Sequence, residues 1–398
     1  MGWYRIDFEP VDTWFFRGTR PHAAAGAAML PSDFPPSPST LSGAVRTRLG
    51  EALGLDWQRV EEDEQGQITQ GSGTQVDGAD AAEIIGSSRN TGQLVFGHPR
   101  VRMDQERLFP VPSMYLRDRE ESLVSLVPGE VVHCDLGRVR LPEMRPERPG
   151  AKGLEGHWLT ESGLKAHLAG DAIPEQAIID PGQLFSHEPR LGIARNNDRN
   201  TVRSGMLYQT QHLRLNRGVG LSVCVQMPDS PATILLESLQ AQPLQRLGGE
   251  GRMAAMRMST IEAADELPEA PEHAGEGTSL ILTLASDALF ESGQGPAMLP
   301  GFEAEHEQGV DRWRGTINGV ELSLETAVCA KAVRHGGWDM RNGQPRTVAS
   351  YTPAGSCFFV RVHSHDPASA FRALHGVQIG ARTDHGFGQV LCARPSHQ

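Results

Sequence analysis

The sequence predicts an α+β fold made of two β-α-β-β-α-β domains with long insertions. Three observations carry this: a strand, helix, glycine-rich loop and strand that occur twice, a strand and helix ahead of the first copy, and an acidic break between the halves. In the first copy GLSVCVQM alternates as a strand does, Pro231 opens the helical run ATILLESLQ, and LGGEG leads into RMAAMRMS. In the second, SCFFVRVH is the strand, Pro367 opens ASAFRALH, and GVQIGARTDHGFG leads into QVLCAR. Val223 to Pro231 and Phe359 to Pro367 both span 8 residues, while Pro231 to Gly248 and Pro367 to Gly386 span 17 and 19. Ser230-Pro231 and Asp366-Pro367 are both sound helix starts, a capping residue followed by a proline with its φ preset.

The opening half of the first domain is legible too. Tyr4, Ile6 and Phe8 alternate with Trp3, Arg5 and Asp7, the pattern of a half-buried strand. After the proline-rich FPPSPST, residues Leu41, Val45, Leu49 and Ala52 fall within a stripe about 80° wide, bordered by Arg46 and Arg48. Strand, helix, then strand-helix-strand is the ferredoxin-like order, so the expected domains are 1–262 and 263–398, with the boundary in the acidic 262–276 segment. Residues 61–93 are acidic, glycine-rich and aperiodic, which predicts a mobile loop.

Composition bounds the function. Five separated cysteines without a CxxC pair argue against a disulfide framework or zinc site. No apolar run of about 20 residues predicts a membrane span, and the acidic start predicts no signal peptide, so the expected compartment is cytoplasmic. The formal charge is −12, yet Ser186 to Arg217 holds six arginines against Glu188 and Asp198, a local +4. Nucleic acid responds to that local field, because physiological salt screens charge beyond about 8 Å.

The candidate RNA contacts follow from chemistry. Glycine loops expose backbone N–H groups and allow positive φ, which suits phosphate binding by Gly248 and Gly249 with Arg252, and by Gly386 and Gly388 with Arg382 and His385, with Phe387 among them as a further RNA-contact candidate. Arg195, Arg199 and Arg203 recur every four residues with Asn196 among them, a mix fitted to phosphates and unpaired base edges. Tyr208 offers a ring for stacking or for packing. Arg17, Arg20 and His22 follow the first strand, Arg46 borders the first helix, and Arg334, His335 and Trp338 form a basic-aromatic cluster suited to stacking on a nucleotide. No GxGxxG, GxxxxGK[ST], HExxH or GxSxG occurs, and the SxxK at Ser162 to Lys165 lacks companion motifs, so neither enzyme chemistry nor a cofactor nor a metal is expected.

With FPPSPSTLSGAVRTRL, EPRLGIARNNDRNT, GMLYQTQHLRL, LGGEGRM and GARTDHGFGQVL in order, the sequence resembles the RAMP superfamily of CRISPR proteins. Within it, the chain looks most like the two-domain subunit at the guide 5′ end of the type III-B (Cmr) complex. The resemblance implies two ferredoxin-like, RRM-like domains, contact with the 5′ tag of the CRISPR RNA, docking to the large polymerase-like subunit and the backbone RAMP subunit, and no nuclease role. One departure matters. The strand His385–Cys392 keeps the glycine, aromatic and valine spacing of an RNP1 strand but has Gln389 and Cys392 where stacking aromatics belong. Two other readings compete: a metal-independent endoribonuclease using His385 or His22, and a protein scaffold that touches no RNA.

Overall fold

The computed structural model describes residues 1–19, 29–62, 68–70, 73–196, 198–199, 201–262, 267–269, 278–290, 299–307, 309–339, 343–363 and 367–396. In chain order the main elements begin with β1 (Gly2–Pro10), α1 (Pro38–Ala52), α2 (Ala81–Ile85), β2 (Arg100–Met103), α3 (Glu161–Ala169), β3 (Phe185–Asn196) and β4 (Thr201–Leu215). Then come β5 (Val219–Met227), α4 (Asp229–Ala241), β6 (Leu244–Arg246), β7 (Met253–Ile261), β8 (Ser279–Leu284), β9 (Glu303–Glu307) and β10 (Val310–Ile317). The chain closes with β11 (Val320–Val328), β12 (Trp338–Asp339), β13 (Gln344–Pro345), β14 (Cys357–Val362), α5 (Pro367–Leu374) and β15 (Val390–Ala393). The protein is a mixed α and β structure, divided into two compact units.

Neither unit is contiguous. One comprises 1–105, 182–263 and 334–349; the other comprises 106–181, 264–333 and 350–398. Residues 106–181, expected as insertions of the first domain, therefore fold with the second.

In the first unit an antiparallel sheet runs β2-β5-β1-β7-β6. Ile6 and Phe8 of β1 are fully buried, as the alternation predicts, while Asp7 on the opposite face bonds Arg102. Helix α1 enters on a proline and buries Leu41, Val45 and Leu49 against the α4 side of the sheet. Arg48 is nearly buried, and its guanidinium donates to the carbonyls of Ser238 (2.6 Å), which also accepts the Gln242 N–H, and Gln242 (2.5 Å) at the end of α4. Arg46 does the same for α2, donating to the carbonyls of Ile85 (2.6 Å) and Ser87 (2.5 Å).

The expected loop 61–93 departs from its reading, for it contains α2. Asp80 and Glu83 form a reciprocal capping box that nucleates the helix, and Ala81, Ala82, Ile84 and Ile85 are buried. Residues 63–67 and 71–72 lie outside the described ones.

The second unit carries the antiparallel sheet β9-β10-β11-β14-β8-β15. Numbered by succession, the strands β8, β11, β14 and β15 lie in the order second, third, first, fourth, the same order as β1, β2, β5 and β7 in the other sheet. Leu280, Leu282, Phe358 and Val360 pack with Phe371 and Leu374 of α5. The alternate residues Ile281, Cys357, Phe359 and Leu391 pack with Leu164 and Leu168 of α3. Thus α5 and α3 bury alternate residues of the strands, not the same set as two helices on a single face would. Between β8 and β11 the described residues hold the β9–β10 hairpin and no helix.

Candidate nucleic-acid interface

The first glycine loop is braced on the segment that leaves β1. There Trp14, Phe15 and Phe16 are buried, and the Phe15 carbonyl accepts the Gly249 N–H at 2.8 Å. Gly248 has φ +83°, and a Cβ on it would stand 2.6 Å from that same carbonyl oxygen, so only glycine lets the backbones approach. The outer edge of the loop is Glu250, Gly251 and Arg252. Tyr208 donates to Glu250 at 3.3 Å, and Arg252 pairs with Asp12 at 3.3 Å. His212, 1% exposed, stacks on Phe15 and shares a hydrogen bond with Thr13 at 3.0 Å. Its pKa is lowered, first by burial and then by Arg190 and Arg252.

The arginine block divides into two parts. At the base of the β3–β4 ribbon, Arg190 pairs with Glu188 (2.6 Å) and Asp12 (2.9 Å), and Arg214 pairs with the same two carboxylates at 2.6 and 3.0 Å. Hydrogen bonds from Arg190 hold the Asp12 carboxyl below its usual range, and those from Arg214 do so for Glu188. These base arginines are thus largely neutralised. At the other end the ladder closes with Arg195 opposite Val202 and Asn196 opposite Thr201, after a bulge. Arg199 is exposed in the connecting turn, and Arg203 sits at the start of β4. The structure therefore gathers Arg195, Asn196, Arg199 and Arg203 at one end of a two-stranded ribbon, by position; the side chains of Arg195, Asn196 and Arg203 lie outside the described ones.

The other expected contacts fare differently. Arg17 is exposed and its backbone bridges Ser32. Arg20 and His22 lie outside the described residues. Arg46 is a helix cap, with its donors on the α2 carbonyls rather than turned to a ligand.

In the second unit the glycine loop is braced in the same manner. The Ala381 N–H bonds the Leu289 carbonyl and the Gly388 N–H bonds that of Asp287, both at 2.9 Å, just beyond β8. Arg382 and Gly386 are left-handed at φ +62° and +92°. Phe387 is fully buried against Tyr351 at 4.9 Å, with the Arg382 guanidinium 5.6 Å above its ring. His385 is 2% exposed. Both are core residues, which corrects their place among the RNA contacts: a ring packed on Tyr351 has no face to offer. Gly386 and Gly388 shape the turn that seats Phe387, and Arg382 is the half-exposed group there.

Sequence reasoning missed the carboxylate Asp12 and the brace Phe15, and counted Glu188 only as a local charge. The VDTWFF run after β1 was their signal, since buried aromatics just past a strand need a partner surface. Among the described residues no group of three or more His, Cys, Asp or Glu could hold a metal ion, and no helix is long and apolar enough to cross a membrane.

A family comparison gives this arrangement its class: the chain is a CRISPR-associated protein. It belongs to the CRISPR-associated protein (Cas_Cmr3) family, whose model matches residues 6–395. Among solved structures, one of a type III-B Cmr-beta complex bound to cognate target RNA and AMPPnP holds a chain that is 13% identical. That match covers 89% of this chain and 86% of that one, with a TM-score of 0.44. A Csm3-Csm4 subcomplex of the type III-A interference complex holds one that is 9% identical, covering 90% and 94%, with a TM-score of 0.38. No curated protein matches.

Proposed function

We propose that the chain is a non-catalytic RNA-binding subunit of a type III-B effector, built on two ferredoxin-like domains. In this reading it holds the 5′ tag of the CRISPR RNA and docks the large polymerase-like subunit and the backbone RAMP subunit, in the cytoplasm. The observation that carries the reading is the family match over residues 6–395. The shared strand order of the two sheets supports the ferredoxin-like description. The RNA path is drawn along the end of the β3–β4 ribbon, past the outer edge of the Gly248–Gly251 loop. There Arg199 and Gly251 are exposed and the arginines below are already paired with carboxylates.

Burial of His385 disfavours the endoribonuclease reading, because an acid or base must reach the proton it moves. Purified chain incubated with single-stranded repeat RNA, with EDTA or with divalent metal, is expected to leave the RNA intact. Cleavage abolished by His385→Ala would restore the enzyme.

The RNA reading is tested by changing Arg195, Arg199 and Arg203 together to Ala. Guide-RNA retention by the assembled complex should fall, and its log–log salt slope should become shallower by roughly 0.7 per lost phosphate contact. The melting curve should scarcely move, since exposed arginine pairs are worth about 0 to 1 kcal/mol. Equal retention and slope would remove the ribbon from the RNA path.

A further inference from the structure

The arm at 334–348 belongs to the first unit and is absorbed by none of the contacts above. Its ladder sets Trp338 opposite Pro345 and Asp339 opposite Gln344, and the Arg346 N–H bonds the Gly337 carbonyl at 3.1 Å. Trp338 is 51% exposed and Val348 is 48% exposed, whereas Trp14 and Trp158 are buried. A half-open indole on a two-residue ladder is no core residue. Gly337 takes φ +101°, and a Cβ on Gly336 would touch Val348 at 3.1 Å, so the two glycines let the strands meet closely at the foot of the ring. The surroundings are basic in a chain of net charge −12. Within 334–348 the sequence holds Arg334, Arg341 and Arg346 against the single acid Asp339. Unlike Arg190 and Arg214, neither Arg334 nor Arg346 is engaged in an ion pair among the described residues.

We propose that this arm is a second single-strand RNA contact, in which Trp338 stacks on an unpaired base and Arg334 and Arg346 take flanking phosphates. The inference rests on the RNA-subunit reading and adds a site to it. A protein hot spot also favours tryptophan and arginine, but it seats the ring in a well-packed, desolvated pocket at the centre of an interface. Here Trp338 stands half-open on a two-residue ladder with Asp339, Gln344 and Pro345, and every base has a π-face that needs no pocket.

The test uses the tagged full chain, purified from cells with the complex it enters, and single-stranded RNA with the guide sequence. Trp338→Ala should weaken RNA binding about 10-fold at an unchanged salt slope, and Trp338→Phe should keep most of the affinity. The double variant Arg334→Ala, Arg346→Ala should lower the slope by roughly 1.4, about 0.7 for each contact. Ultraviolet crosslinking should leave a nucleotide on the tryptic peptide 335–341, which carries Trp338. Wild-type affinity and slope in both variants overturns the arm and leaves the general reading standing. Loss of a protein subunit at unchanged RNA affinity also overturns it, in favour of docking. A wild-type complex that retains no RNA overturns both.

Discussion

At Gly388 a side chain is excluded twice, because φ is +73° and a Cβ would run into the Ile379 carbonyl oxygen. Gly251 is left-handed at +65° too, but nothing lies near it. Gly388→Ala should therefore cost more than the roughly 1 to 2 kcal/mol of left-handed strain expected for Gly251→Ala, and urea midpoints of the two variants would show the order. A second consequence concerns His167 of α3, which is 1% exposed and bonds Tyr115 at 3.0 Å and Thr283 at 2.9 Å. Burial pushes its pKa from 6.5 to about 4, so the unfolded chain takes up the proton first as pH falls. Its contribution is complete above pH 6.5 and declines toward pH 4, about 2 kcal/mol being lost by pH 5. His167→Gln removes the titrating group, so thermal stability measured from pH 8 to 5 should fall less steeply than in wild type. An equal slope would locate the acid sensitivity elsewhere. The residue scale is also where sequence reading erred most. Phe387 and His385 sit in a glycine-rich string that reads as open loop, yet two positive-φ glycines turn the chain inward there and bury both side chains.

Periodicity made some elements legible and hid others. β1 and α1 show clean alternation and a clean stripe, and both form where expected. Helix α2 is five residues long, too short for a stripe, and its one signal was the pair Asp80 and Glu83. The β10–β11 hairpin carries its own mark in Asn318-Gly319, left-handed at φ +46° and +78°. That β9 and β10 stand where a helix was expected is settled by pairing with β11, a contact with no local trace. Arg48 shows how elements depend on one another. Arg48→Ala removes two charged hydrogen bonds at the end of α4, although the Ser238 carbonyl keeps the Gln242 N–H, and about 1.5 to 3 kcal/mol per charged hydrogen bond sets an upper scale for the loss. A urea midpoint unchanged in Arg48→Ala would mean that water replaces the guanidinium at no cost.

For the whole molecule, the interleaving of the units decides what can stand alone. A fragment of residues 263–398 lacks Leu164 and Leu168 of α3 and Phe109 and Met114, so Ile281, Phe359 and Leu391 would meet water. Each buried large apolar side chain is worth about 1.5 to 3 kcal/mol, comparable in sum to the net stability of a domain. The fragment should lack a cooperative melt, which calorimetry would detect. This arrangement was illegible because contacts across such separations follow no sequence period. The family match, by contrast, rests on a string of local motifs along most of the chain, and so the class was legible before the fold was known. The central claim is that the protein is a guide-holding subunit. Its most direct test is purification of the tagged chain from its host, with sequencing of the bound RNA and identification of the bound proteins. The account predicts CRISPR RNA with its 5′ tag protected from nuclease, together with a large polymerase-like subunit and a backbone RAMP subunit; recovery of those proteins without RNA, or of RNA lacking the tag, would contradict it.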